Sequence, residues 1–63
     1  MRLSDLDVLI VDDHEAMRVM LTRVLVRAGV SAVRTAAGGM QALALMAERA
    51  PSLVLADQRM PGM

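Results

Sequence analysis

Cysteine, aromatic residues and lysine are all missing from this 63-residue chain. Without cysteine there is no disulfide framework, and no thiol from which to read a redox compartment. Without Phe, Tyr or Trp, base stacking and aromatic cages are excluded. Without lysine, all seven cations are arginines, and seven acids bring the formal net charge to zero. That balance argues against a nucleic-acid or anionic-membrane surface, each of which needs a basic excess. No apolar run approaches the roughly 18 residues a membrane span needs. The N-terminus, MRLSDLD, carries two aspartates where a signal peptide would be basic and then apolar. The expectation is a cytoplasmic protein that does not engage membranes.

What the chain does have is apolar residues, at 56% of the sequence. A chain of this length makes one domain at most and buries only about 60% of its unfolded surface. It therefore wants to bury more than it can cover alone. Asp7 to Val11 reads DVLIV, and continuous apolarity without alternation points to a strand covered on both faces, as in a parallel sheet. After the polar cluster DDHE, a helix is expected over about Glu15 to Ala28, with Gly29 as its left-handed stop. Met17, Met20, Leu21, Val24, Leu25 and Ala28 share the spacing of one helical face, and Val19 and Val26 form a narrower stripe. Ser31 to Thr35 reads as a second strand, and Met40 to Arg49 as a second helix that ends before Pro51. Leu53 to Ala56 is a third strand, followed directly by Asp57. The order β-α-β-α-β implies an α/β fold with a parallel sheet and right-handed crossovers.

Ligands of open α/β sheets bind beyond the carboxyl ends of the strands. Asp12 and Asp13 follow the first strand and Asp57 the third, so neighbouring placement of those strands would gather three carboxylates at one edge. Two unit charges about 4 Å apart repel by roughly 4 kcal/mol at an effective dielectric near 20. A cation relieves that repulsion, and all-oxygen donors favour Mg²⁺ over Zn²⁺. A carboxylate beside Mg²⁺ can attack phosphorus and become an aspartyl phosphate.

VLIVDDHEAMR, GGMQAL and LVLADQRMPGM together resemble the N-terminal half of a response-regulator receiver domain of the chemotaxis type. The resemblance covers nearly the whole chain. It implies a partial flavodoxin-like fold with strand order 2-1-3, residues 1–63 being the N-terminal portion of a single receiver, truncated before the third helix. It also implies a two-component switch, not a turnover enzyme, in which a sensor histidine kinase supplies a phosphoryl group to Asp57. Asp13 would ligate Mg²⁺ directly, Asp12 through water or by orienting the site, and Asp57 and the Arg59 backbone carbonyl would add further oxygens. Pro61 and Gly62 would shape the loop presenting that carbonyl. Gly38 departs from the acidic or amide residue the family often has there, at no catalytic position. The later Ser/Thr and Lys that contact the phosphoryl group in the family are missing, as is a helix over the third strand. The third strand would then be an open edge, available for self-association through Leu53 to Ala56.

Plainer readings compete at several positions. Asp12 and Glu15 have the spacing of a helix capping box, which needs no metal. His14 reads as an exposed residue at the helix start, flanking the site mouth with Arg59. Gly38-Gly39 lacks the spacing and the lysine of a phosphate cradle and reads as loop. The seven methionines read as core filler and the arginines of the first helix as a solvated face. Two other functions compete with the switch. An Asp-nucleophile phosphatase would need a second Asp two residues after Asp57, where this chain has Arg59. A non-phosphorylated interaction module would keep the fold alone.

Overall fold

The computed structural model describes residues 2–56. A short 3₁₀ turn at Leu3–Asp5 leads into β1 (Asp7–Val11), α1 (Glu15–Ala28), β2 (Ala32–Ala36), α2 (Gly39–Glu48) and β3 (Leu53–Ala56). The strands form a parallel sheet in the order β2-β1-β3. Register runs from Asp7↔Ala32 to Val11↔Ala36 on one side of β1, and from Val8↔Leu53 to Val11↔Ala56 on the other. This strand order is the one expected from the resemblance to the flavodoxin-like receiver fold.

The central strand is covered on both faces, which is why DVLIV does not alternate. Leu9 and Val11 point towards α2 and cluster with Ala36 and Ala42, with Leu45 and Met46 packed alongside. Val8 and Ile10 point the other way and cluster with Val30, against Leu21 and Leu25 of α1 and Leu55 of β3. One helix thus lies on each face. Gly29 ends α1 at φ 112°, and the N–H of Val30 bonds back to the Leu25 carbonyl. The glycine pair is absorbed into α2: Gly38 is its N-cap, Gly39 its first residue, and the Gln41 side chain accepts the Ala37 N–H at 2.9 Å.

The face of α1 that packs is narrower than the periodicity implies. Leu21 and Leu25 meet the sheet, whereas Met20 and Val24 are 50% and 57% exposed. Residues three or four apart fit several overlapping stripes, and the one that meets Val8 and Ile10 centres on Leu21 and Leu25, flanked by half-buried Arg18 and Thr22. Val19 and Val26 are exposed.

An ionic knot ties the end of the sheet where β1 begins. Arg34, in the middle of β2, donates from Nη1 to the Leu45 carbonyl at 2.8 Å and from Nη2 to the Arg49 carbonyl at 2.8 Å. A cation at the carbonyl end of α2 is electrostatically favoured. The same Nη2 reaches the Asp7 carboxylate at 3.2 Å, which also accepts from Arg49 Nε. Ser52 completes the tie, its N–H donating to the Asp7 carbonyl at 2.8 Å while its Oγ accepts the Asp7 N–H at 3.0 Å. The hydrogen bond from Arg49, supported by Arg34, holds the Asp7 carboxyl below its ordinary value of 3.8, against the opposing pull of burial. A depressed folded-state value contributes stability that is present above the unfolded value and lost as pH falls through the folded one. Unfolding midpoints in urea should therefore fall for the unaltered protein as pH drops below the ordinary Asp value of 3.8, and fall less steeply for Asp7→Asn. Equal acid slopes for the two proteins would show that the knot carries no such stability.

Candidate functional site

The site is built at the carboxyl end of β1. Asp12 extends the strand by one rung, its N–H donating to the Ala36 carbonyl at 3.1 Å. It is the buried acid of the described residues, at 8% exposure. Its Oδ1 accepts the backbone N–H of His14 at 2.8 Å, so the chain turns sharply after the strand and enters α1. His14 is the N-cap of α1 and makes no side-chain cap bond. The capping-box reading of Asp12 and Glu15 is therefore corrected: Asp12 closes a turn two residues before the N-cap His14, too early to cap the helix.

Asp13 and His14 are exposed, His14 as expected of a residue at the helix start. The His14 ring leans over both acids, with Nδ1 3.1 Å from Asp12 Oδ1 and 2.9 Å from Asp13 Oδ1. One ligand atom from each of Asp12, Asp13 and His14 falls within 4.8 Å of the others. The His14 backbone N–H is the main influence that holds the Asp12 carboxyl below its ordinary value of 3.8, outweighing burial, and the His14 ring acts in the same direction. Asp12 is thus ionised at neutral pH, the state a metal ligand requires. Two adjacent carboxylates fit a hard divalent cation. An imidazole nitrogen on the rim is a donor the sequence reading did not credit.

Asp12 opens on a cleft of about 500 Å³ that lies between α1 and the end of β3. Asp12 and His14 line it together with apolar Ile10, Leu21, Leu55 and Ala56. Ala56 and Val11 are register partners across the sheet. The expected site residues Asp57 and Arg59, and the loop residues Pro61 and Gly62, lie outside the described residues. A further contact was not anticipated: Arg18 Nη1 donates to the Asp12 carbonyl at 2.6 Å. Its signal in the sequence is a cation six residues after an acid, one turn into the following helix.

Comparison with known proteins identifies the family of the chain. The family model described as "Response regulator receiver domain" matches residues 8–63. Sporulation initiation phosphotransferase F of Bacillus subtilis is 41% identical over 56 residues, covering 89% of this chain and 44% of that protein. Chemotaxis protein CheY of Bacillus subtilis is 43% identical over 56 residues, covering 89% of this chain and 47% of that one. The sensory/regulatory protein RpfC of Xanthomonas campestris is 42% identical over 62 residues, which is 98% of this chain and 8% of that protein. The chain thus spans less than half the length of these relatives. No solved structure matches it. With two acids after β1, the 2-1-3 parallel sheet and a family match over most of its length, the chain belongs to the response regulator receiver domain family.

Proposed function

We propose that residues 1–63 are the N-terminal portion of a single receiver, acting in two-component signalling by accepting a phosphoryl group on Asp57 from the phosphohistidine of a sensor kinase. The observation that carries this reading is a shared register. Val11 and Ala56 are partners across β1 and β3, and each is followed in the chain by an aspartate, Asp12 and Asp57. In the transfer, a carboxylate oxygen of Asp57 forms a bond to phosphorus, the P–N bond breaks, and its electron pair returns to the imidazole. Asp12, Asp13 and Asp57, with the Arg59 carbonyl, are the groups that would hold Mg²⁺. The ion would neutralise charge on the phosphoryl oxygens and lower the repulsion between the acids. Asp12 is ionised and held from three sides, so it can orient the site without reorganising.

Arg59 stands where an Asp-nucleophile phosphatase needs its acid, so we assign a switch in place of a turnover enzyme. Action in the cytoplasm is part of this proposal; the described residues contain no helix long and apolar enough to cross a membrane. A second reading, a self-associating interaction module, draws on β3: among the described residues it pairs only with β1, and Leu53 and Val54 are 43% and 39% exposed. One experiment separates the two. The full chain is incubated with a small acyl phosphate in Mg²⁺ or in EDTA, and the adduct is trapped with borohydride and mapped by mass spectrometry. Modification at Asp57 that requires Mg²⁺ is the expected result. An unmodified chain would overturn the switch reading, and a dimer by light scattering would then favour the module.

A further inference from the structure

We infer that Arg18 is a positioning residue for the acidic site, acting on the peptide bond that joins the two aspartates. This inference rests on the metal-binding reading of Asp12 and Asp13. The Asp12 carbonyl oxygen lies in the same rigid plane as the Cα atoms of Asp12 and Asp13 and the Asp13 N–H. A donor that holds this oxygen therefore restrains the peptide unit to which both acids are attached. Arg18 Nη1 supplies that donor at 2.6 Å. Its bond is charge-assisted and correspondingly strong.

The remaining freedom of Asp12 is removed from other directions. Its N–H is held by the Ala36 carbonyl of β2, and its Oδ1 by the His14 N–H at the start of α1. Those two bonds fix what precedes the Asp12 carbonyl and where its carboxylate points. The His14 bond closes a ring that passes through the Asp12–Asp13 peptide but leaves its carbonyl oxygen free to move, and Asp13 is the exposed member of the pair. Arg18 holds that oxygen from outside the ring, from a helix that is itself anchored on the sheet through Leu21 and Leu25. Its half-buried position, against the exposed Arg23 and Arg27 of the same helix, marks it as the arginine of α1 that turns inward. The site is thereby coupled to the seating of α1: a shift of the helix along the sheet would move the acids with it.

Charge alone predicts the opposite effect from positioning. A guanidinium near two carboxylates repels an incoming cation, so its removal would tighten metal binding if charge were all it contributed. Loss of a group that orients ligands instead weakens metal affinity about 10- to 100-fold.

The test is Mg²⁺ titration of the full chain by calorimetry, with the metal-free thermal midpoint and the amide chemical shifts of Asp12 and Asp13 measured in parallel. Arg18→Ala should weaken Mg²⁺ binding about 10- to 100-fold and move the Asp13 amide resonance before any metal is added. Arg18→Lys, which keeps a charged donor, should recover part of the affinity. Arg23→Ala, which removes the same charge from the exposed side of α1, should leave affinity unchanged or slightly raised. Should Arg18→Ala unfold, the Lys variant and the Asp13 resonance carry the comparison. Unchanged or tighter Mg²⁺ binding by a folded Arg18→Ala protein would overturn the inference and leave the metal site standing. Absence of Mg²⁺ binding by the unaltered chain would remove the metal site itself, and the inference with it.

Discussion

Asp57→Asn is expected to abolish phosphoryl acceptance, lowering adduct formation by roughly 10³-fold or more while the fold persists. The change replaces one oxygen by NH₂ at nearly constant shape, so packing is little disturbed. What it removes is chemical. A carboxylate offers an anionic oxygen to phosphorus, and the neutral amide that replaces it is a poor nucleophile. Asp12→Asn and Asp13→Asn should behave differently: they leave the nucleophile and weaken Mg²⁺ binding, so their loss of adduct should be partly recovered at high Mg²⁺. The loss in Asp57→Asn should not be recovered at any concentration. The contrast is read in one series of acyl phosphate reactions across a Mg²⁺ titration. Undiminished adduct in Asp57→Asn, or adduct mapped to Asp12 or Asp13, would reassign the acceptor.

The elements of this fold were legible because each carries a local signal. Four consecutive apolar positions in β1, the glycine after α1 and the proline after α2 mark boundaries without reference to the rest of the chain. Bounds for β1, α1 and β3 agree with the structure to the residue, and those of β2 and α2 shift by one. The acids were legible too, since Asp12 and Asp13 directly follow an apolar run. Which side of α1 faces inward was not, because periodicity fixes spacing and leaves phase to whatever the helix packs against. Met20 and Val24 have the right spacing and the wrong phase. Contacts between residues far apart in sequence were equally hidden. Arg34 in the middle of a strand was the available clue to the knot with Asp7 and Arg49, since a cation at a half-buried strand position needs partners. Its partners lie 27, 11 and 15 residues away, and no local pattern names them. Arg18 is the intermediate case, close to Asp12 in sequence but read as part of a solvated face.

Leu9→Ala should cost about 2–5 kcal/mol, the range for emptying a buried leucine site. Leu9 has no exposed surface and lies at the centre of the sheet, paired with Arg34 on one side and Val54 on the other. Its side chain fills the space beneath α2 together with Val11, Ala36 and Ala42. Two of those neighbours are alanines, which cannot swing in to fill a cavity, so relaxation is limited and the cost should lie in the upper part of the range. A single core in a chain shorter than about 70 residues rarely supplies more than about 3–5 kcal/mol. The substitution therefore removes most of the available stability and should leave the protein largely unfolded at 37 °C. Leu43→Ala, on the same helix that covers Leu9, offers the control. Leu43 is 67% exposed, so its truncation should change stability by no more than about 0.5 kcal/mol. Urea unfolding followed by circular dichroism reads both. A cost below about 1 kcal/mol for Leu9→Ala would mean that α2 does not seal this face of the sheet in solution. The acidic site would feel the same loosening, because Ala36, which holds the Asp12 N–H, belongs to the cluster that Leu9 anchors.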